Sequence, residues 1–237
     1  MKNVLILGAS GLIMPHVISG LEPYYTLLLT DVKPHPKGLP IQRVDVADYQ
    51  QVYEAMAGMD AVINATVVRN QPERSFSVNT LGAFHVMKAA AARGINKVIH
   101  TGPQLYRNAY DEDFGIVNAP LQPDTGYYGL TKYLSYEICK VYARTYAITT
   151  PCFVFNGLGA RPESPRTGQD FPSMTVLWED LQHACRLALE VESLPDYFHV
   201  FHLHSYEGHG KFLLDDARRL LGFEPQQRWM EDYRRKQ

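Results

Sequence analysis

Cysteine is scarce in this chain of 237 residues, which contains only Cys139, Cys152 and Cys185, none of them close to another in the sequence. An odd number of cysteines without short spacings argues against a disulfide framework and against a structural zinc site. No segment approaches the roughly 20 apolar residues that a membrane-spanning helix needs. The opening apolar run has only four residues before Gly8, and no A-x-A-like cleavage site follows it. These absences predict a reduced, cytoplasmic protein with no membrane partner.

An excess of charge of one sign is also missing. The formal net charge is -2, and the basic ending Arg234–Lys236 is interpreted as a solvated tail. No run of lysine and arginine is long enough to follow a phosphate backbone, so nucleic acid is not an expected partner. With 46% hydrophobic and 20% charged residues, the composition is that of an ordinary globular protein with one sizeable core.

Apolar runs of strand length alternate with segments of helical periodicity over most of the chain, a pattern typical of β-α-β units and a parallel sheet. The predicted strands lie at Val4–Leu7, Thr26–Leu29, Ile41–Val46, Ala61–Ala65, Lys97–Thr101 and Ile148–Phe155. The predicted helices lie at Leu12–Leu21, Tyr49–Ala57, Glu73–Arg93 and Tyr127–Arg144, the third of them ended by Gly94. We therefore predict an α/β fold with a Rossmann-type, doubly wound parallel sheet.

The pattern changes after residue 155. A segment rich in glycine and proline is followed by a predicted helix, a strand and a last helix, at Leu177–Glu190, His199–Leu203 and Leu213–Leu221. We predict that residues 1–155 form the nucleotide-binding core and that 156–237 form a small substrate-binding cap that is not an independent domain. The long loop Gly102–Thr125 is expected to be functional, since loops of that length in compact domains usually are.

The first strand runs directly into a glycine-rich turn, Gly8-Ala9-Ser10-Gly11. Glycine permits a sharp turn and a close approach of the backbone to a pyrophosphate, and the N-terminus of the next helix then faces the phosphates. A small residue usually follows for close packing of helix on strand, but Met14 stands there. The residues that we expect around the cofactor at this turn are Gly8, Ser10, Gly11, Leu12 and Ile13.

Two acidic residues at the ends of the next strands favour a dinucleotide. Asp31 follows the glycine turn by about 20 residues, where a carboxylate accepts hydrogen bonds from the ribose hydroxyls. Because a carboxylate there repels a 2′-phosphate, we predict NAD rather than NADP, with Lys33 as the one residue that argues otherwise. Asp45 and Val46 suit a contact with the edge of the adenine. The alternative, that both acids simply begin loops, stays open.

The segment Tyr128-Gly129-Leu130-Thr131-Lys132 carries the most chemical information. A tyrosine and a lysine at positions i and i+4 share one face of a helix. The positive charge of the lysine favours the phenolate and so makes the tyrosine a usable acid and base. Taken alone, the pair is better interpreted as an aromatic and a basic residue on a solvated helix face.

Taken together, these motifs resemble the extended short-chain dehydrogenase/reductase family, which includes NAD-dependent epimerases, dehydratases and uronate dehydrogenases. The landmarks stand in the family's order and cover nearly the whole chain: GASGLIM, Asp31, Asp45-Val46, AVINAT, NTLGAFHVMKAA, KVIHTGPQLY, YGLTK, VFNG and DDARRLLGFEP. The resemblance implies that Tyr128 is the catalytic acid and base and that Lys132 is its partner. It also implies that Asn79 supports the lysine or its helix, that Ala65 lines the nicotinamide side and that Asn156 contacts substrate.

The chain departs from the family where the fifth strand ends. The family usually has a catalytic serine or threonine there, but the alignment puts Gly102 at that position and Thr101 one residue earlier. Neighbouring strand residues face opposite sides, so Thr101 replaces the hydroxyl only if the strand ends irregularly. Gln104 is a candidate substrate ligand, and Tyr106 or Tyr110 are further possible donors.

The resulting hypothesis is an NAD-dependent oxidoreductase or epimerase that acts on a hydroxyl or carbonyl carbon of a sugar or sugar acid. Arg161 or Arg166 would then hold a substrate carboxylate. The alternative is a non-catalytic NAD-binding sensor or interaction protein that lost its hydroxyl at Gly102. The family resemblance further implies a homodimer formed by the two long helices. No metal is expected, because His202 and His204 share a strand face without a convincing third ligand.

Overall fold

The computed structural model describes residues 1–102, 125–169, 171–172, 174–206, 214–226 and 229–234. The strands are β1 Asn3–Leu7, β2 Thr26–Asp31, β3 Gln42–Arg43, β4 Ala61–Asn64, β5 Val98–Thr101, β6 Thr150–Phe155, β7 Gly157–Gly159, β8 Arg166–Thr167, β9 Thr175–Leu177, β10 Phe198–Leu203 and β11 Tyr233–Arg234. The α-helices are α1 Met14–Leu21, α2 Tyr49–Ala55, α3 Pro72–Ser75, α4 Gly82–Arg93, α5 Tyr127–Tyr146 and α6 Trp178–Glu190. Shorter helical turns cover Phe76–Leu81, Pro195–Tyr197, Ala217–Leu221 and Met230–Asp232.

Seven of these strands form one parallel sheet in the order β10-β6-β5-β4-β1-β2-β3. The chain starts in the middle at β1, winds outward through β2 and β3, and then winds to the other edge through β4, β5, β6 and β10. This arrangement confirms the predicted α/β fold with a doubly wound sheet. The late strand Phe198–Leu203 pairs with β6 over its full length, so residues after 155 extend the central sheet.

Helices cover both faces of the sheet, which explains why the strands are apolar on both sides. On one face Ile6 and Phe153 pack with α1 and α6. On the other face Leu5 and Val62 pack with α2, α4 and α5, where Met87 is fully buried. Among the described helices, none combines the length and the apolar character that a membrane span needs.

The third strand is shorter than the sequence suggests, since only Gln42 and Arg43 join the sheet instead of Ile41–Val46. Arg43 pairs with Asp31, the last residue of β2, so the residues that follow run past the end of their partner strand. Their polar groups are satisfied locally instead, as in the hydrogen bond from Asp45 N to Gln51 Oε1 at 3.0 Å.

The predicted long helix Glu73–Arg93 is interrupted by a turn of π-helix at Phe76–Leu81. Such turns are rare and often occur at functional sites, because the extra residue re-aims the side chains around it. Beyond the π-turn, α4 begins at Gly82, where a Cβ atom would lie 2.7 Å from Val46 Cγ2. The predicted C-cap residue Gly94 ends α4 in a left-handed conformation with a φ of 70°.

The turn after β1 needs glycine for two reasons at Gly8. Its φ is 86°, a value that residues with a side chain rarely adopt. In addition, a Cβ atom here would lie 3.0 Å from both Ala65 C and Thr66 N. Those two atoms belong to the backbone and cannot give way as a flexible side chain would. Gly58 has a similar φ of 73° but no atom within 4 Å of its Cβ position.

We expect Gly8→Ala to lower the free energy of unfolding by clearly more than Gly58→Ala. Both variants force alanine into the left-handed region at a cost of about 1–2 kcal/mol, and only Gly8→Ala adds the clash with the backbone directly after β4. Urea unfolding of the two variants beside the parent protein measures the difference. Equal losses of stability would show that the close approach of the two strand ends is unimportant.

Candidate active site

A cleft of about 360 Å³ opens at the carboxyl ends of β4, β5 and β6. Ligands bind at this edge of doubly wound sheets, where the chain turns outward in opposite directions on either side of β1. The described residues that line the cleft are Leu12, Ile13, Ala65, Val67, Arg69, Thr101, Gly102, Tyr128, Lys132, Phe155, Asn156, Gly157 and Leu158. The cleft therefore brings together eight residues that were named as candidates from the sequence.

The glycine turn provides backbone donors at the mouth of this cleft. Gly11 N donates to Gly8 O at 3.1 Å, which closes the turn. The N–H groups of Leu12 and Ile13 have no acceptor within the described part of the chain, and α1 begins at the next residue. Free N–H groups at a helix N-terminus, together with the helix dipole, bind phosphate. Met14, which stands where a small residue is usual, has its side chain buried in the core.

Asp31 is held rigidly by the same turn. One carboxylate oxygen accepts from Ser10 N and the other accepts from Lys33 N, both at 3.0 Å. Ser10 Oγ in turn donates to Lys33 O at 2.9 Å. Each oxygen retains a lone pair, so the carboxylate is oriented and still able to accept from the two hydroxyls of a ribose.

Asp31 belongs to a second, smaller cleft of about 160 Å³. Its described lining is Gly8, Ser10, Gly11, Asp31, Val32, Lys33, Val44, Asp45, Val46, Ala65, Thr66, Val67, Val68, Arg74 and Val78. Asp45 forms an ion pair with Arg74 at 3.2 Å, and Val46 is a buried residue of the lining. The two clefts share Ala65 and Val67, as the two halves of one extended dinucleotide would require.

Lys132 is almost completely buried, with 2% of its surface exposed. Its ammonium group donates to the carbonyl oxygen of Thr101 and lies 3.4 Å from Thr101 Oγ1. Burial lowers the pKa of Lys132 to about 8, and the positive charge of Arg69 acts in the same direction. The lysine is therefore a cation whose charge changes close to neutral pH.

Tyr128 lies one helical turn before Lys132 and is half-buried at the cleft wall. The guanidinium group of Arg69 lies 5.5 Å from the centre of its ring, within the range of a cation–π contact. Arg69 and Lys132 are the two basic side chains that line the cleft together with Tyr128 among the described residues. Arg69 was not singled out by the sequence analysis, because nothing in its local pattern marks it.

Asn79 lies outside the cleft lining but connects two of its walls. Its side chain accepts from Val68 N and donates to Val68 O, both at 2.8 Å, and donates to Thr131 Oγ1 at 2.9 Å. The next residue, Thr80, donates to Thr131 O at 3.2 Å. The π-turn thereby ties the loop after β4 to the helix that carries Tyr128 and Lys132.

A second buried network on the far side of Lys132 was missed at the sequence level. His100, 2% exposed, lies between Asn64 Nδ2 at 3.4 Å and Ser135 Oγ at 3.0 Å. Because Ser135 Oγ donates to Lys132 O at 2.8 Å, it accepts from His100 Nε2–H, which leaves Nδ1 to accept from Asn64. Burial lowers the pKa of His100 well below its usual value, so the imidazole is neutral.

The missing hydroxyl at Gly102 has a structural cause. A Cβ atom at this position would lie 2.7 Å from Cys152 Sγ and 3.2 Å from Val154 Cγ2. A serine there would have to displace a buried cysteine on β6. Thr101, one residue earlier, contributes the hydroxyl that lies beside Lys132. Gln104, Tyr106 and Tyr110 lie outside the described residues.

The remaining candidates are placed as follows. Asn156 lines the cleft, as the family resemblance implies. Arg161 forms a two-pronged ion pair with Asp232 at 2.6 and 3.2 Å, so its guanidinium group is already engaged. Arg166 is exposed on β8 and is not among the lining residues. Within the described ranges, no group of three or more potential metal ligands is assembled, and His199 bonds Asp216 at 3.0 Å.

Solved structures with the same fold include dehydrogenases and epimerases. A mutated uronate dehydrogenase is 20% identical, with a TM-score of 0.79 over 97% of this chain and 83% of that one. A glucuronic acid dehydrogenase from Chromohalobacter salexigens is 18% identical, with a TM-score of 0.78 over 95% and 85%. A UDP-N-acetylglucosamine 4-epimerase from Bacillus cereus is 14% identical, with a TM-score of 0.76 over 98% and 94%. At these identities the likeness shows the fold alone, and no curated protein matches the sequence.

The family itself is shown by a family model that matches residues 4–182, which is most of the chain. The match covers the glycine turn, Asp31 and the Tyr128–Lys132 pair, and it confirms the resemblance drawn from the sequence. NAD is the cofactor of this family, and the free N–H groups, the anchored carboxylate and the two joined clefts fit it. The chain belongs to the NAD-dependent epimerase/dehydratase family.

Proposed function

We propose that this chain is an NAD-dependent oxidoreductase that acts on a hydroxyl or carbonyl carbon of a small sugar or sugar acid. One observation carries the proposal: Tyr128, Lys132 and Thr101 line one cleft together with Ala65, the residue predicted to lie on the nicotinamide side. The named activities of the structural neighbours support the substrate class. Internal redox chemistry, as in an epimerase, needs the same residues and is the closest variant of this function.

When bound, NAD supplies the acceptor for a hydride from the substrate carbon. Tyr128 accepts the proton of the substrate hydroxyl as the carbon–hydrogen bond breaks, and the carbonyl product forms. Lys132, one helical turn after Tyr128 on the same helix, is held at the end of β5 by the carbonyl oxygen of Thr101 and so keeps the tyrosine at the cleft. Thr101 Oγ1 lies beside Lys132 and donates to the developing carbonyl oxygen, the part that the serine at the Gly102 position would otherwise take.

Residues 156–237 are proposed to form the substrate side of the cleft. Asn156, Gly157 and Leu158 line it directly after β6.

A homodimer through α4 and α5 is also proposed: the two helices pack side by side, and Val141 and Tyr146 are 60% and 56% exposed on α5. The cytoplasmic location stays a prediction.

Tyr128→Phe removes the proton acceptor and leaves the ring in place. We expect the rate of sugar oxidation to fall by about 10²- to 10⁴-fold, while the affinity for NAD stays the same. The measurement follows NADH absorbance with a panel of sugars and uronic acids, and calorimetry gives the NAD affinity. A parent protein that binds NAD but reduces none of it with any member of the panel would favour the binding-only alternative.

Thr101→Val keeps the backbone carbonyl that binds Lys132 and removes only the hydroxyl. We expect a loss of about 10²-fold in kcat with the best substrate, because a donor to the developing oxyanion is gone. Thr101→Ser retains the hydroxyl and serves as the matched control. If both variants keep the parent rate, the donor is another residue.

Lys132→Met tests the buried charge through stability. The folded protein holds the Lys132 proton less tightly than the unfolded chain, so the free energy of unfolding rises as pH increases from about 8 towards 10.5. The rise amounts to on the order of 3 kcal/mol if the shift is complete. In Lys132→Met the free energy of unfolding should rise less with pH, because the contribution of Lys132 is gone. The variant should also lose its activity.

Lys97→Met is the control for that experiment. Lys97 is also buried, its ammonium group donates to Val191 O far from the cleft, and burial lowers its pKa to about 8. This variant should lose a similar part of the pH dependence and keep its activity. Denaturant unfolding between pH 7 and 10.5 gives both slopes, and an unchanged slope in Lys132→Met would contradict the charged, buried state.

A further inference from the structure

The charges of the cleft indicate what it binds. Its described lining contains two basic side chains, Arg69 and Lys132, and no aspartate or glutamate. Lys132 is committed to Thr101 at the end of β5. The guanidinium group of Arg69 forms no ion pair with a carboxylate of the described residues, although arginines elsewhere in the chain do. Arg69 is thus an exposed positive charge on the cleft lining, and among the described residues no carboxylate competes with a ligand for its hydrogen-bond donors.

Arg69 is positioned by its neighbours. The preceding residue, Val68, is fixed at both its N–H and its carbonyl by Asn79, and its carbonyl also accepts from Ser75 Oγ at 3.0 Å. The guanidinium carbon lies 5.5 Å from the centre of the Tyr128 ring, within the range of a cation–π contact. The planar guanidinium group suits two parallel hydrogen bonds to a carboxylate.

The cofactor phosphates are a poorer partner for this arginine. The described lining of the adenosine-side cleft includes Arg74 but not Arg69, whereas Arg69 lines the part that contains Tyr128 and Asn156. The charge therefore lies beside the reacting group. Arg161 is one of the two arginines predicted from the sequence to hold a substrate carboxylate, and its charge is neutralised by the ion pair with Asp232.

We propose that Arg69 binds the carboxylate of the substrate, so that the enzyme prefers hexuronates to neutral hexoses. The proposal rests on the proposed oxidoreductase function and adds the residue that selects the substrate. One guanidinium group matches the two oxygens of a carboxylate.

The test compares galacturonate with galactose and glucuronate with glucose, pairs that differ only in the carboxylate at C6. In Arg69→Met, kcat/KM for the hexuronates should fall by roughly 10- to 100-fold, the effect of losing a charged hydrogen bond. The values for the neutral hexoses should stay the same, and Arg69→Lys should retain part of the preference. Arg161→Met is the matched control and should leave the hexuronate preference unchanged.

Equal losses for acids and neutral sugars would overturn the proposal, because Arg69 would then act through Tyr128 or NAD. Calorimetry separates this failure from failure of the proposed function. Galacturonate is titrated into NAD-loaded Tyr128→Phe protein with and without Arg69→Met. Arg69-dependent binding of galacturonate, together with no NADH formation by the parent protein, would support the arginine's role and contradict the oxidoreductase. The inference would be overturned if Arg69→Met left the turnover or the binding of galacturonate unchanged, or if galacturonate did not bind at all.

Discussion

The burial of the Lys132 ammonium group at the end of β5 is the constraint on which the rest of the site depends. A charge removed from water must find a polar partner, and here the partner is a backbone carbonyl, that of Thr101. The sheet fixes the position of this carbonyl at the end of β5. The hydrogen bond from Lys132 therefore holds helix α5 against the carboxyl end of that strand. Tyr128, one turn earlier on the same helix, is placed at the cleft by that anchor.

The residues on either side of Lys132 make this arrangement unique. Thr131 is held by Asn79 and Thr80 of the π-turn, and Ser135 is held by His100 of β5. Each donor in these two networks has an acceptor, which is what makes a buried polar cluster specify one geometry instead of weakening the core. A neutral imidazole is part of that balance, because a charged one would need a second acceptor where Asn64 now donates.

The sequence allowed prediction of what depends on local pattern. Apolar runs predicted every strand of the central sheet, and the spacing of Tyr128 and Lys132 placed both on one helix face. Features that depend on contacts between distant segments were out of reach. The length of β3 is set by where β2 ends, the π-turn follows from the hydrogen bonds of Asn79 and Thr80, and Arg69 reaches the cleft only because its loop is held against α5.

Packing between distant segments also explains the departure at Gly102. Read along the chain, the glycine looks like the simple loss of a hydroxyl, but in the fold the space for a side chain is already occupied by Cys152 Sγ. The cysteine is fully buried, and burial raises the pKa of its thiol to about 12, so it packs as a small apolar group. Glycine and cysteine therefore form one packing unit across β5 and β6. That unit occupies the space of a side chain at Gly102, and the hydroxyl that lies beside Lys132 is that of the preceding residue, Thr101.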